Sequence, residues 1–384
     1  MRSASLMLLT LLLAGCASRR SAAPPAAGTA ATMPITARID SAVARGVAFL
    51  RQSQQAEGFW GTGCVTRGFE VLSQVPGSHE AFRTATTALC VMALAEAGER
   101  EAHARGLEWL VQQGDARRDN AYLLYNIWAH LYALQALSAE ARRSPADAAP
   151  LVRAAQRHID RLNRYQTYVG GWNYYDFVAG TQQPSMEPTS FGTAAALVAL
   201  HEAHAAGIEL PRPMVERAMR RLLEQRLPNG SYIYSGNLKY FPRMPANMPR
   251  GSIGRNQACN LALWLWGFGG IGRQQAIDGL EEFAREHHFI EIGRKRQYPH
   301  EAWYQTAPYY YYFGHYYAAR LIEMIGGPEA RRYAQLLAEW ILAAQDPDGS
   351  WWDFAMWDYH QPYGTAFAIM TLLRCREYCA DTGP

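Results

Sequence analysis

An all-α fold, six outer and six inner helices closed into one (α/α)6 toroid, is predicted by three features of this 384-residue chain. Amphipathic and nearly all-apolar helical segments alternate six times. Their links alternate too, mostly long after an amphipathic helix and mostly short after an apolar one. A Gln…Gly-x-Trp pattern recurs at the long links. Hydrophobic residues make up 49% and charged residues 18%, enough to bury a sizeable core and to exclude global disorder.

The chain opens with Arg2 and an apolar run from Leu6 to Ala14, ending in Leu13-Ala14-Gly15-Cys16. A basic start, a short apolar stretch and small residues before a cleavage point read as a secretory signal over residues 1–15. The run is too short to span a bilayer as a mature helix. Leu-Ala-Gly-Cys resembles the bacterial lipobox, which implies cleavage before Cys16 and lipidation of that residue. Residues 16–36, rich in Ala, Ser, Pro, Thr and Gly, suit a flexible lipidated tether to a toroid domain at 37–384. Position 17 is Ala and not Asp; by resemblance to the sorting pattern of enteric bacteria, this points to the outer membrane of the cell envelope.

The first outer helix carries Ile39, Val43, Val47 and Leu50 at i, i+4, i+8 and i+11, and Leu151, Ala155, Ile159 and Leu162 repeat that spacing. Charged residues fill the other faces, as expected of helices with one side in water. Further outer helices are predicted over about 99–113, 211–226, 273–290 and 328–345. Inner helices are predicted over about 84–96, 122–137, 189–204, 255–267, 309–325 and 361–377. Thr193 to Leu200 is apolar all round and must be enclosed, which favours a closed ring over an open solenoid. In such a ring the long links, about 54–83, 167–188, 227–254, 291–308 and 346–360, share one end. The inner-helix N-termini lie at that end, and their unpaired N–H groups favour anions and polar ligands.

The recurring segments are Gln52…Gly58-Phe59-Trp60, Gln166…Gly171-Trp172 and Gln345…Gly349-Ser350-Trp351, with a fourth, Gln225…Gly230-Ser231-Tyr232, that has Tyr for Trp. The pattern resembles the QW-type repeat of squalene–hopene cyclases, and more loosely protein prenyltransferase β subunits and complement-type toroids, over most of 37–380. The Trp residues are expected to pack one hairpin on the next. The catalytic signatures depart from those families. There is no Asp-x-Asp-Asp acid and no Asp-Asp-x-x-Asp. Tyr359-His360 stands where the prenyltransferases place a zinc-binding His, but Asn256 and Gln257 precede Cys259 in place of an Asp-x-Cys pair. The thioester motif of complement-type toroids is missing as well. No metal and no cofactor is therefore expected.

The net charge of +3 is too small for a nucleic-acid binder, so no nucleic acid is expected as partner. Lys239 and Lys295 are the only lysines, an Arg bias that reflects base composition. Five cysteines follow Cys16: Cys64, Cys90, Cys259, Cys375 and Cys379, an odd number that makes no disulfide framework. Cys375 and Cys379 share a helix face, as two packed thiols or with one reaching a loop cysteine.

Polar and aromatic groups gather where the inner helices begin: Tyr125, Asn126 and His130; Tyr174; Arg255 and Asn256; Trp303, Tyr309 to Tyr312 and His315; Trp357, Asp358, His360 and Tyr363. Of these, His315, His360, Tyr363 and Asp358 are the candidate catalytic residues. Asn126, His130, Tyr174, Arg255, Asn256, Trp303, Tyr311 and Trp357 are the candidate ligand contacts. Lys239, Arg243, Arg250 and Arg255, with Arg294-Lys295-Arg296, suggest a basic rim.

Three functions fit. The first is an envelope lipoprotein whose barrel mouth binds a lipid, isoprenoid-like or anionic ligand; a dry aromatic cavity would favour it. The second is a carbohydrate-active lyase or hydrolase acting on an anionic glycan. Tyr, His, Asn and Arg sets suit proton abstraction beside a neutralised carboxylate, and its cast would be His315, His360, Tyr363, Arg255 and Asn126. A glycosidase would instead need a facing carboxylate pair among Asp176, Glu187, Glu301 and Asp358. The third is a scaffold for a protein partner, signalled by an exposed apolar patch.

Overall fold

The computed structural model describes residues 33–68, 70, 78–114, 116, 126–178, 181 and 183–380. The expected signal, Cys16 and most of the tether lie outside the described residues, as does Tyr125. From Ile35 onward the described residues form twelve α-helices and no strand. The outer six are α1 (Ile35–Ser53), α3 (Glu101–Gln113), α5 (Ala148–Tyr165), α7 (Arg212–Glu224), α9 (Arg273–Gly293) and α11 (Gly327–Ala343). The inner six are α2 (Ser78–Glu96), α4 (Asn126–Arg143), α6 (Ser190–Ala205), α8 (Pro249–Leu265), α10 (Tyr310–Ile325) and α12 (His360–Cys379).

The inner helices pack in chain order, α2 on α4, α4 on α6, α6 on α8, α8 on α10 and α10 on α12. α12 then packs on α2, so the ring is closed and the open solenoid is excluded. Burial follows the sequence pattern. α5 buries one stripe, Leu151, Ala154, Ala155, His158, Ile159 and Leu162, whereas α6 is buried from Ser190 through Leu200. Three boundaries differ from the periodicity, the first being α2, which starts at Ser78 and not 84. α8 starts at Pro249, not 255, because proline at the first turn lacks only an N–H that would be unpaired anyway. α4 runs on to Arg143, where Arg142 and Arg143 meet the negative end of the helix dipole.

Three tryptophan joints repeat atom for atom. The indole N–H groups of Trp60, Trp172 and Trp351 donate to the carbonyls of Leu50, Leu162 and Ile341 at 2.7–2.8 Å. Their backbone N–H groups donate to Thr87, Thr193 and Thr365 on the following inner helices at 3.0–3.1 Å. All three rings are fully buried, so each joint places a large apolar body between two helices with its one polar atom satisfied. Beside them Gln54, Gln166 and Gln345 donate to carbonyls of Ala102, Met214 and Ala42 on the neighbouring outer helix, at 2.8–2.9 Å. In the first joint the bonding glutamine is Gln54, two residues after Gln52. At Gly58, Gly170 and Gly349 φ is +102°, +91° and +88°, and a Cβ would strike the carbonyl of Arg105, Arg217 or Arg45. At the fourth joint Tyr232 replaces Trp and Asn256 replaces Thr, receiving the Tyr232 N–H at 3.2 Å.

Surface ion pairs join the first and last hairpins, Arg38 to Glu339 at 2.7 Å and Arg376 to Asp40 at 2.9 Å. Being exposed, they contribute less to closure than Gly46, where the absent Cβ lets α1 lie directly on Trp351 and Ile369. No helix of the described residues is long and apolar enough to cross a membrane.

Candidate functional site

At the end where the inner helices begin, the ring encloses a cavity of about 260 Å³. Its wall is made by i, i+4 faces of the inner helices. α2 supplies Phe82, Ala85, Thr86 and Leu89; α4 supplies Trp128 and Tyr132; α6 supplies Phe191. Tyr310 and Phe313 come from α10, Tyr363 and Phe367 from α12. The long links complete it with Tyr174 and Tyr175, Tyr234, Pro299 and His300, Tyr309, Phe354 and Met356. The rings interlock edge to face: Phe191 stands against Tyr310 at 5.1 Å and 83°, and Trp128 against Phe313 at 6.3 Å and 79°.

Few polar atoms reach this wall, and two sets are fixed from behind. Tyr363 donates its hydroxyl to Asp353 Oδ1 at 2.7 Å, and the Tyr312 backbone N–H donates to Oδ2 at 3.2 Å. Asp353 is fully buried, and burial pushes its carboxyl up to about 7 against the lowering effect of those bonds. His300 sits at φ +64°, in the left-handed region. Its Nδ1 donates to the Gln305 carbonyl at 2.6 Å, which leaves Nε2 to accept from the Tyr309 hydroxyl at 3.4 Å. Burial lowers its pKa, so the ring is neutral.

Of the twelve candidate catalytic and ligand-contacting residues the structure brings only Tyr174 and Tyr363 to the cavity wall, joined by Tyr309 and Tyr310 of the wider aromatic set. The expectation that the rest converge on one hollow is corrected, for a common reason: polar groups on inner helices turn to where partners exist. Asn126 donates to Asp176 at 3.2 Å, and His130 pairs with His158 of α5 at 3.1 Å. His315 receives a bond from His287 of α9 at 3.0 Å while donating Nδ1 to the Tyr311 carbonyl at 2.7 Å. Tyr311 packs on the same pair, 4.4 Å from the His315 ring centroid. Burial lowers the pKa of His287 to about 2 and of His315 to about 4, so both are neutral. Arg255 donates to the carbonyls of Tyr232, Gly251 and Ala246, tying down the α7–α8 link that Asn256 also holds. Asp358 accepts from the backbone N–H groups of Thr62 and Gly63 at 2.8 Å. His360 is held by the Trp357 carbonyl at 2.6 Å, the Trp357 ring lies edge-on to His79 at 4.6 Å, and Trp303 is 73% exposed.

Three of the seven basic residues of the expected rim are held in ion pairs. Arg250 pairs with Glu286 at 3.0 Å, Arg294 with Glu291 at 2.7 Å and Lys295 with Asp346 at 2.8 Å. None of the four carboxylates considered for glycoside chemistry lines the cavity. Glu187 pairs with Arg221 at 3.0 Å, and Glu301 accepts from the Tyr298 N–H at 3.4 Å. All five described cysteines are free thiols, so Cys375 and Cys379 are separate packed groups. No three His, Cys, Asp or Glu side chains among the described residues converge in a way that would hold a metal.

Sequence reasoning passed over Phe82, Trp128, Phe191, Phe313 and Phe367. The signal was present: 128/132, 309/313/317 and 363/367 are aromatic pairs one turn apart, on the face opposite Asn126/His130 and Tyr311/His315.

At the other end of the ring the inner helices close on charge. Glu96, Arg374, Glu323, Arg320, Glu202 and Arg142 form a continuous alternating chain over α2, α12, α10, α6 and α4. Its contacts include Arg374 to Glu96 at 2.8 Å, Arg320 to Glu202 at 2.6 Å and Arg142 to Glu202 at 3.2 Å.

No family model matches the chain, and a comparison with curated proteins finds no match. Solved structures do match. A variant of the type II terpene cyclase MstE from Scytonema, in complex with geranylgeranyl dihydroxybenzoate, is 13% identical over 90% of this chain and 99% of its own, with a TM-score of 0.54. An inactive variant of the α-1,6-mannanase GH76A of Salegentibacter sp. HEL1_6, in complex with α-1,6-mannotetrose, is 8% identical over 88% of this chain and 98% of its own, at 0.59. A possible member of the GH105 family from Salmonella enterica is 13% identical over 89% and 95%, at 0.53. Terpene cyclase and glycosidase alike share the architecture, so the likeness establishes the fold and not the chemistry. The chain is an (α/α)6 toroid.

Proposed function

We propose that this protein binds an apolar, isoprenoid-like or other lipid chain in the aromatic cavity, as a lipoprotein anchored through Cys16 in the bacterial envelope. The observation that supports the reading is the wall itself: eleven inner-helix side chains, mostly rings, around one hollow, with no carboxylate pair facing it. An apolar wall of this kind gains by removing hydrocarbon from water, at about 25 cal/mol per Å² of surface buried. A sugar would leave its hydroxyls unpaired there.

The test uses a neutral fluorescent probe, N-phenyl-1-naphthylamine, and the isoprenoid alcohol farnesol as competitor. One probe per chain is expected to bind and to be displaced by farnesol. Ala85→Phe, which adds a ring to the cavity wall, is expected to weaken binding at least tenfold without loss of helicity. Competition by uronic-acid or mannose oligosaccharides in place of farnesol would favour the carbohydrate reading and defeat this one. Mass spectrometry of the membrane-extracted protein checks the anchor: an acylated Cys16 is expected, and an unmodified thiol would remove it.

A further inference from the structure

Arg255 carries a formal charge in an unusual place. It is 1% exposed, and among the described residues its guanidinium donates only to backbone carbonyls, those of Tyr232, Gly251 and Ala246, and pairs with no carboxylate. The guanidinium carbon lies 5.6 Å from the ring centroid of Tyr234. Tyr234 is itself part of the cavity wall, so a full positive charge stands one ring behind the hollow. Next to it is a second uncompensated group. Tyr310 lines the same wall, is 2% exposed, and its hydroxyl sits beside the Tyr234 side chain but makes no well-formed hydrogen bond among the described residues. A buried donor so poorly served is retained at a cost unless something else supplies a better acceptor.

An aromatic box on its own would suit a cation, because ring faces are electronegative. Arg255 reverses that preference at this one part of the wall. In a site of low dielectric the field of a buried charge is only weakly screened. Tyr363, on the neighbouring α12, is backed by Asp353 instead, so no second cation stands behind that part of the wall. The rest of the wall, including Phe82, Leu89, Trp128, Phe313 and Phe367, offers no charge at all.

Resting on the reading of the cavity as a site for an apolar chain, we propose that its ligand is an amphiphile with an anionic head. The head is received beside Tyr234 and Tyr310, where the Tyr310 hydroxyl donates to it and Arg255 attracts it from behind. The tail lies among the uncharged rings. A carboxylate and a phosphate share the required chemistry, a compact oxyanion on an alkyl chain.

Four probes of equal chain length separate the possibilities by isothermal titration of the whole protein: decanoate, decyl phosphate, 1-decanol and decyltrimethylammonium. At least one of the two anions is expected to bind tenfold or more tightly than decanol, with the ammonium weakest. Which anion binds tighter distinguishes a fatty carboxylate from a phosphate head. Tyr310→Phe removes one hydroxyl and leaves the ring, so it is expected to cut the anion-over-alcohol preference about fivefold while decanol affinity stays the same. Arg255→Met is expected to abolish the preference; because it also frees three carbonyls, its folding is checked by circular dichroism, and Tyr310→Phe stands as the independent variant. Decanol binding as tightly as both anions, or an unchanged preference in Tyr310→Phe, would overturn the head assignment and leave the apolar cavity standing. Failure of all four probes to bind would remove both.

Discussion

The two ends of the inner ring are built from the same six helices and solve opposite problems. At the N-terminal end the side chains that face inward are rings, and they leave a hollow. At the C-terminal end six alternating Arg and Glu charges line a polar cleft of about 510 Å³. Burial opposes the charge on Arg374, yet the Glu96 and Glu323 carboxylates outweigh it and raise its pKa. Burial raises the pKa of Glu323, and Arg374 and Arg320 oppose that rise. The contrast teaches that the two mouths of one ring are lined by opposite chemistry: a cleft of about 510 Å³ among charges that each have a partner, and a hollow of about 260 Å³ among rings at the end where the long links lie. Stability and binding are then expected to reside at different ends.

The sharpest way to break this division is Arg374→Met. It leaves Glu96 without its partner and Glu323 with one fewer, and because the pairs are only partly buried the cost falls at the lower end of the ~3–5 kcal/mol for breaking a buried ion pair. Urea unfolding should show that loss, with probe binding at the mouth unchanged at native conditions. Equal loss of binding would mean the two ends are not separable. The converse substitution, Phe313→Ala in the wall, should weaken probe binding severalfold. It should cost only about 2–3 kcal/mol, below the usual range for a fully packed Phe, because one side of the ring already faces a hollow.

Acid sharpens the comparison through a region that belongs to neither end. His287 and His315, paired between α9 and α10, are neutral in the fold, with pKa values lowered to about 2 and about 4. In the unfolded chain both take a proton near pH 6.5. Between pH 6.5 and 4 the unfolded state therefore binds more protons than the native state. The contribution of the pair is complete above 6.5 and is lost as pH falls. Each His adds a slope of up to ~1.4 kcal/mol per pH unit. Urea midpoints should drop from pH 7 to pH 5, and the double variant His287→Phe, His315→Leu should flatten the profile.

The smallest effect concerns Asp353. Its bond from Tyr363 favours the charged carboxylate, so Tyr363→Phe should push the Asp353 carboxyl further above about 7 at a stability cost of ~1 kcal/mol. Carboxyl infrared absorption against pH reads the shift directly; an unmoved titration would mean that the hydroxyl does not set the acid.

How legible the site was depends on the residue type. The ring, its twelve helices and the end that carries the hollow follow from periodicity and link length alone. The joints were legible in their Trp residues, but the glutamine of the first was misplaced at Gln52: the bonding residue is Gln54, six before Trp60, as Gln166 and Gln345 are six before Trp172 and Trp351. The cavity wall was misread because polarity was taken as the mark of a functional face. His130 and His315 are polar for the benefit of His158 and His287, 28 residues away in opposite directions along the chain. Trp128 and Phe313, two residues before each of those histidines, face the hollow and looked like ordinary core.

The sequence by itself determined which residues form helices, which helices must be enclosed, and that the long links crown one end. Those properties depend on contacts a few residues apart, on the 3.6-residue repeat and on apolar burial, and each is written locally. Tertiary structure alone decided which face of each inner helix looks into the cavity, that Arg255 lies buried without a carboxylate behind Tyr234, and that Asp353 stands behind Tyr363. An all-apolar helix has no stripe to declare its inward face. The rotation of each one is set by how six of them and their outer partners fill space together.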